Sequence, residues 1–215
     1  MYMIQTIIKP TTKEELISII DETIKKKGIN CDLNFIDTSA ITDMSFLFIG
    51  SAFNGDISKW NTSNVENMVS MFFDSVFNGN ISEWNVSNVK DMACMFYKSQ
   101  FKGDITGWDT SNVENMSFMF TYSEFNGDIS KWNTSKVMYM NCMFNDSVFN
   151  GDISAWNTSN VRNMTCMFAF SDFNGDISKW NVSNVEDMNA MFDNSVLKKE
   201  NKLPQWYVKK NVVKF

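Results

Sequence analysis

A tryptophan recurs every 24 residues, at Trp60, Trp84, Trp108, Trp132, Trp156 and Trp180, with no slippage. A fixed period of this length marks an array in which each unit buries its apolar side against the next. The unit runs FNGDISKWNTSNVENMVSMFFDSV from Phe53 to Val76 and returns five more times with small edits. Its hydrophobic set is Phe53, Ile57, Trp60, Val65, Met68, Met71 and Phe72, answered by Phe77, Ile81, Trp84, Val89, Met92, Met95 and Phe96 in the next unit. Units set at strand spacing, roughly 4.8 Å, place like residues over like and make one continuous core. Methionine belongs to that core as a filler of irregular gaps.

Three polar columns accompany the core. Gly55, Gly79, Gly103, Gly127, Gly151 and Gly175 stand where the chain must turn a corner, and are expected to supply positive φ there. Beside them run Asp56, Asn80, Asp104, Asp128, Asp152 and Asp176. A file of acids suggests a metal ladder, but Asp or Asn beside Gly commonly bonds its own turn backbone, so turn structure is expected and no metal. Ser63, Ser87, Ser111, Ser135, Ser159 and Ser183 form an unbroken column that is expected to hydrogen-bond along the stack. With no histidine in the chain, Ser-His and Cys-His catalysis is impossible. Every acid column is repeated, and no unique cluster interrupts the period as an active site would. No catalytic residue, cofactor or metal is therefore assigned, and a polysaccharide-active enzyme with paired acids is the weakest alternative.

The spacing of Val65, Met68, Met71, Phe72 and Ser75 fits an amphipathic helix, or a short strand followed by one helical turn. A 24-residue coil must close on itself, which favours pairing over Val65 to Met68 and a helical turn over Ser70 to Asp74. Before the repeats, Tyr2 to Ile8 reads as a strand. Thr12 and Glu15 have capping-box spacing and open a helix with Leu16, Ile17, Ile20 and Ile24 on one face, running through Lys27 to Gly28. A degenerate first coil follows, with Ile41, Met44, Leu47 and Phe48 in the hydrophobic columns. The expected division is a strand-helix cap over 1–30, seven coils over 31–196, and a C-terminal cap over 197–215, all one elongated domain. Lys198, Lys202, Lys209, Lys210 and Lys214 around Pro204, Trp206 and Tyr207 would protect the last edge from further pairing, and a monomer is expected.

The net charge of −6 disfavours nucleic acid as a partner, since such binding depends on Lys and Arg meeting phosphates. Nothing reaches transmembrane length, and the amino-terminal stretch as written is not a signal peptide. Cys31, Cys94, Cys142 and Cys166 include no CxxC pair, and free thiols fit a reducing compartment.

The GDIS-W-N-SNV pattern with M and MF following resembles the repeat of the BspA-like leucine-rich-repeat proteins, also called DUF285 or Mycoplasma lipoprotein-type repeats, over residues 31 to 196. The DLNFIDTSAITDMSFLF stretch resembles their entry coil. The resemblance implies an α/β repeat: a right-handed, leucine-rich-repeat-like solenoid of short parallel strands with a helical turn per coil, capped by an N-terminal helix. It also implies a non-catalytic surface protein linked to adhesion and to host proteins such as fibronectin or fibrinogen, at the cell surface or secreted. It carries over no binding residue, because the shared columns are structural.

Specificity would then lie in the columns that stacking leaves free. One ridge reads Phe73, Tyr97, Thr121, Asn145, Ala169, Asp193; its neighbour Asp74, Lys98, Tyr122, Asp146, Phe170, Asn194; a third Glu66, Lys90, Glu114, Met138, Arg162, Glu186. Exposed aromatics beside charges suit a protein interface, which makes Phe73, Tyr97, Tyr122, Phe170, Asp74, Lys98, Glu66, Lys90 and Arg162 the candidate binding residues. The alternatives are a spacer with no specific ligand, its surface columns drifting unconstrained, and an ice-binding array on the file Thr62, Val86, Thr110, Thr134, Thr158 and Val182.

Overall fold

The computed structural model describes residues 6–212, with side chains through Val208. Helix α1 spans Lys13–Lys27. The Thr12 side chain accepts from the Glu15 N–H, and the Glu15 carboxylate accepts from the Thr11 N–H at 2.7 Å, one residue before the position expected of a capping box. Gly28 ends the helix at φ 89°. Leu16 and Ile20 are buried in the core while Ile17 is exposed, so α1 covers the first unit on a narrower face than expected. Ile8 forms a single parallel bridge to Ile36; the rest of the expected strand falls largely on residues outside those described. Helices α2, Val196–Lys199, and α3, Gln205–Val212, follow the last unit. Lys209 and Lys210, as side chains, and Lys214 lie outside the described residues.

Between α1 and α2 the 24-residue units stack in register. The Phe48, Phe72, Phe96 and Phe120 rings lie nearly parallel with centroids 5.6–5.7 Å apart. Trp60 and Trp84 are 6.4 Å apart and offset-stacked. Each indole from Trp84 to Trp180 also donates to the isoleucine carbonyl of the preceding unit, as Trp84 Nε1 does to Ile57 O at 3.2 Å, and Trp60 donates in the same way to Leu33 O at 3.0 Å. Trp206 in α3 donates in the same way to Ile177 O at 2.9 Å, and so continues the tryptophan column past the point where the period fails.

The expected right-handed leucine-rich-repeat-like solenoid of parallel strands is overturned. Among the described residues no strand forms. Successive units share only isolated parallel bridges, Asp32 to Asp56 and Asp43 to Asn67 between the first two and then one each, Asn67 to Asp91, Asp91 to Asn115 and onward, and the three helices lie outside the repeats. The reason is the direction of alternate peptide groups. The N–H groups of Met68, Ser70, Phe72 and Asp74 donate forward to the carbonyls of Asp91, Ala93, Met95 and Tyr97 at 2.7–3.0 Å. Those of Met71 and Phe73 instead close turns on Met68 and Ser70 in their own unit. A strand needs both sets turned toward neighbouring strands. The expected helical turn over Ser70 to Asp74 is absent as well, because φ is +54° at Ser70 and +53° at Asp74. Positive φ at the third residue of a closed turn is the type II signature.

Side chains hold the other corners. In one unit Asn80 Oδ1 accepts from the Ser82 N–H, Asn85 Oδ1 from Ser87, Asp91 Oδ1 from Ala93 and Ser99 Oγ from Phe101, at 2.8–3.2 Å. Each bond reaches two residues forward, offering the backbone a turn in place of a ladder. The Asp column is thus turn structure: Asp128 accepts from the Ser130 N–H at 2.9 Å. The serine column acts within its unit, Ser63 Oγ donating to Asn61 Oδ1. The asparagine after it crosses units, Asn88 Nδ2 donating to Ser63 O, both at 2.7 Å. The glycine column does not supply positive φ. A β-carbon at Gly79 would stand 2.8 Å from the Phe77 ring, so glycine makes room for a core side chain two residues earlier.

Candidate functional site

Two positions of every unit lie in the left-handed region. One column holds Phe46, Ser70, Cys94, Phe118, Cys142, Cys166 and Ala190; the other holds Gly50, Asp74, Lys98, Tyr122, Asp146, Phe170 and Asn194, all at φ between +48° and +63°. Gly, Asp and Asn tolerate this conformation, whereas a larger side chain costs roughly 1–2 kcal/mol. Tyr122 and Phe170 meet that cost while 46% and 57% exposed, with little burial to offset it.

The candidate residues divide into two groups. Phe73 and Tyr97 are half-buried and stacked at 4.4 Å, and Tyr97 meets Tyr122 edge to face at 5.7 Å. Lys98 Nζ lies 5.9 Å from the Tyr97 centroid and 5.8 Å from that of Tyr122, within cation–π range. Asp74 is exposed beside them. Phe170 stands two units beyond Tyr122 in the same column. The aromatic ridge is interrupted, because Thr121 and Ala169 in the Phe73 column are buried. Glu66, Lys90 and Arg162 form a separate file: Lys90 pairs with Glu66 at 2.7 Å, and Arg162 lines a concavity of about 510 Å³ with Glu114, Lys136, Met138, Asn160, Asn184 and Glu186. Sequence reasoning passed over Phe46, Ile49, Tyr139 and Val148, which are exposed. Phe46 shares the left-handed column of the cysteines, and its bulk in a column of mostly small residues was the available signal.

A family model described as "Mycoplasma protein of unknown function, DUF285" matches residues 19–122 and again 98–206. The chain belongs to the DUF285 family. Neither a search of curated proteins nor one of solved structures returned a match. The two overlapping matches cover the later part of α1, the stacked units and the start of α3, so the DUF285 pattern extends beyond the tryptophan-bearing repeats at both ends.

Burial pushes the Cys94 thiol up, and burial with the adjacent Cys166 thiol pushes Cys142 to about 12, so neither is a ready thiolate. The turn carboxylates Asp104, Asp128, Asp152 and Asp176 are held below the ordinary value, first by the backbone N–H two residues on. Among the described residues no three Cys, Asp or Glu side chains gather as a metal site, and no helix is long and apolar enough to cross a membrane.

Proposed function

We propose that this DUF285 protein is a non-catalytic binding module whose turn-built aromatic face engages a protein partner. The observation that carries the reading is the placement of Tyr122 and Phe170, exposed and in the left-handed region, in a column where Gly50, Asp146 and Asn194 show what the backbone prefers. Tyr122 recovers part of that cost against Tyr97 and Lys98, whereas Phe170 is 57% exposed, and a strained residue with so little packing gain points to another role. Tyr97, Lys98 and Tyr122 form a rigid amphipathic cluster of the kind that anchors interfaces.

The test is a Tyr122→Asn/Phe170→Asn variant, assayed beside the parent for binding to immobilised fibronectin and fibrinogen, the partner class implied by the resemblance, and to host extracts. The variant keeps or gains thermal stability and loses most of its affinity for any partner the parent captures. Equal binding by both proteins would remove the aromatic face from the reading.

A further inference from the structure

In a repeat, each column shows what stacking asks of a position, so a departure that gives up a stacking bond stands out. Asn64, Asn88, Asn112, Asn160 and Asn184 all donate Nδ2 to a serine carbonyl of the preceding unit, at 2.6–2.8 Å. Lys136 replaces the sixth asparagine, and its Nζ turns to Asn112 Oδ1 at 2.6 Å. Two residues on, Met138 stands in a column otherwise charged through the tryptophan-bearing units, and the next unit places Arg162, the chain's sole arginine, directly after it. These departures share the concavity of about 510 Å³ that runs between the asparagine column and the charged column. Among the described residues the Arg162 guanidinium has no carboxylate partner, unlike Lys90, which Glu66 neutralises at 2.7 Å.

Taken unit by unit the groove is lined by Glu114, Lys136, Arg162 and Glu186, that is negative, positive, positive, negative, with Met138 as an apolar member of the same lining. We infer that this groove binds an extended peptide segment of the complementary order: two carboxylates flanked by cations. Arg162 offers a planar fork that takes a carboxylate in two bonds, and Lys136 offers a second charge for the neighbouring acid. Glu114 and Glu186 close the ends, admitting a peptide with flanking lysines and repelling longer polyanions such as nucleic acid. Three unit spacings separate the outer charges, on the order of 14 Å, a span that four or five extended residues cover. The site is independent of the aromatic face, and neither stands or falls with the other.

The probe is acetyl-KEAEK-amide, whose two acids lie on one face of an extended chain, titrated calorimetrically into the full chain at low salt, with acetyl-EKAKE-amide as the charge-reversed control. The test variant is Lys136→Asn/Arg162→Met, which restores the asparagine column with its bond to the preceding unit and gives position 162 the neutral side chain that Met138 already places in the same column, so no like-charge pair is created. The expected result is saturable binding of the first peptide, weakened by salt, with at least about tenfold lower affinity in the variant and for the reversed peptide. No saturation by the first peptide, equal affinity for the two peptides, or unchanged affinity in a variant of undiminished melting temperature would each overturn the assignment.

Discussion

The ring of Phe125 occupies the space that a β-carbon on Gly127 would need, with Cε2 and Cζ each 2.8 Å from where that atom would stand. Gly107, by contrast, has nothing within 4 Å of the same position. Gly127→Ala is therefore expected to destabilise the protein by about 1–3 kcal/mol through overpacking of a fully buried aromatic. Gly107→Ala should stay within about 0.5 kcal/mol of the parent. Denaturant melts of the two variants side by side check this. Equal effects would mean that the ring does not set the glycine requirement.

The left-handed column predicts stabilising substitutions. Phe170 sits at φ +58° and is exposed, so Phe170→Gly or Phe170→Asn should leave stability unchanged or raise it by about 0.5–1 kcal/mol. Phe168→Gly, two residues away and fully buried, should unfold much of the stack. Thermal melting separates the two, and a clear loss of stability in Phe170→Asn would show that the exposed ring packs in a way the geometry does not indicate.

Acid should weaken the turns. Asp104, Asp128, Asp152 and Asp176 have folded values lowered by the N–H groups they accept from. A lowered folded value means that the contribution is present above the unfolded value, about 3.9, and is lost as pH falls through the folded one. The melting temperature is thus expected to drop below about pH 4, less so in a variant with these four residues changed to Asn, which Asn80 already shows can make the same bond at 3.0 Å. The same bonds account for the column without calcium. Chelator should leave the melt unchanged, and a calcium-restorable loss would overturn the turn assignment.

Removal of one whole unit, residues 101–124, should leave a folded, shorter protein, because every bond from 68–74 to 91–97 has its counterpart one period later. Removal of 101–112 should abolish cooperative unfolding, since it sets core columns against turn columns. Circular dichroism melts of the two deletions check this. Cooperative folding of the half-unit deletion would mean that register does not matter.

Trp132→Phe isolates a single bond. The indole of Trp132 donates to Ile105 O at 3.1 Å, and phenylalanine removes that bond, leaving the carbonyl with the Trp108 N–H at 3.2 Å as its donor, while keeping part of the ring. The expected cost is about 1–3 kcal/mol, against about 3–5 kcal/mol for Trp132→Ala, which adds a cavity. Similar melts for the two variants would remove the indole bond from the account.

What the sequence determined by itself was the period, the identity of the core columns, the capping helix at the amino end and the turn role of the acids. Burial and short-range hydrogen bonding repeat with the residues, so Phe53, Trp60 and Met68 announce the core and Asp56 its own turn. What only the tertiary structure decided was the course of the backbone between those columns. The spacings of three and four from Val65 to Ser75 suit a strand with a helical turn, and equally a run of turns in which alternate peptide groups point along the stack. Side-chain spacing reports which residues face the core but not which way each N–H points, and neighbouring units settle that direction. The positive φ values therefore fell on Ser70, Cys94, Lys98 and Tyr122, residues that carry no mark of it, while the conspicuous glycines served a neighbouring ring. The aromatic face was legible in part, because Tyr122 and Phe170 vary where the stack leaves them free. Its interruption at Thr121 and Ala169, and the separation of Arg162 into a groove of its own, depended on how adjacent units pack.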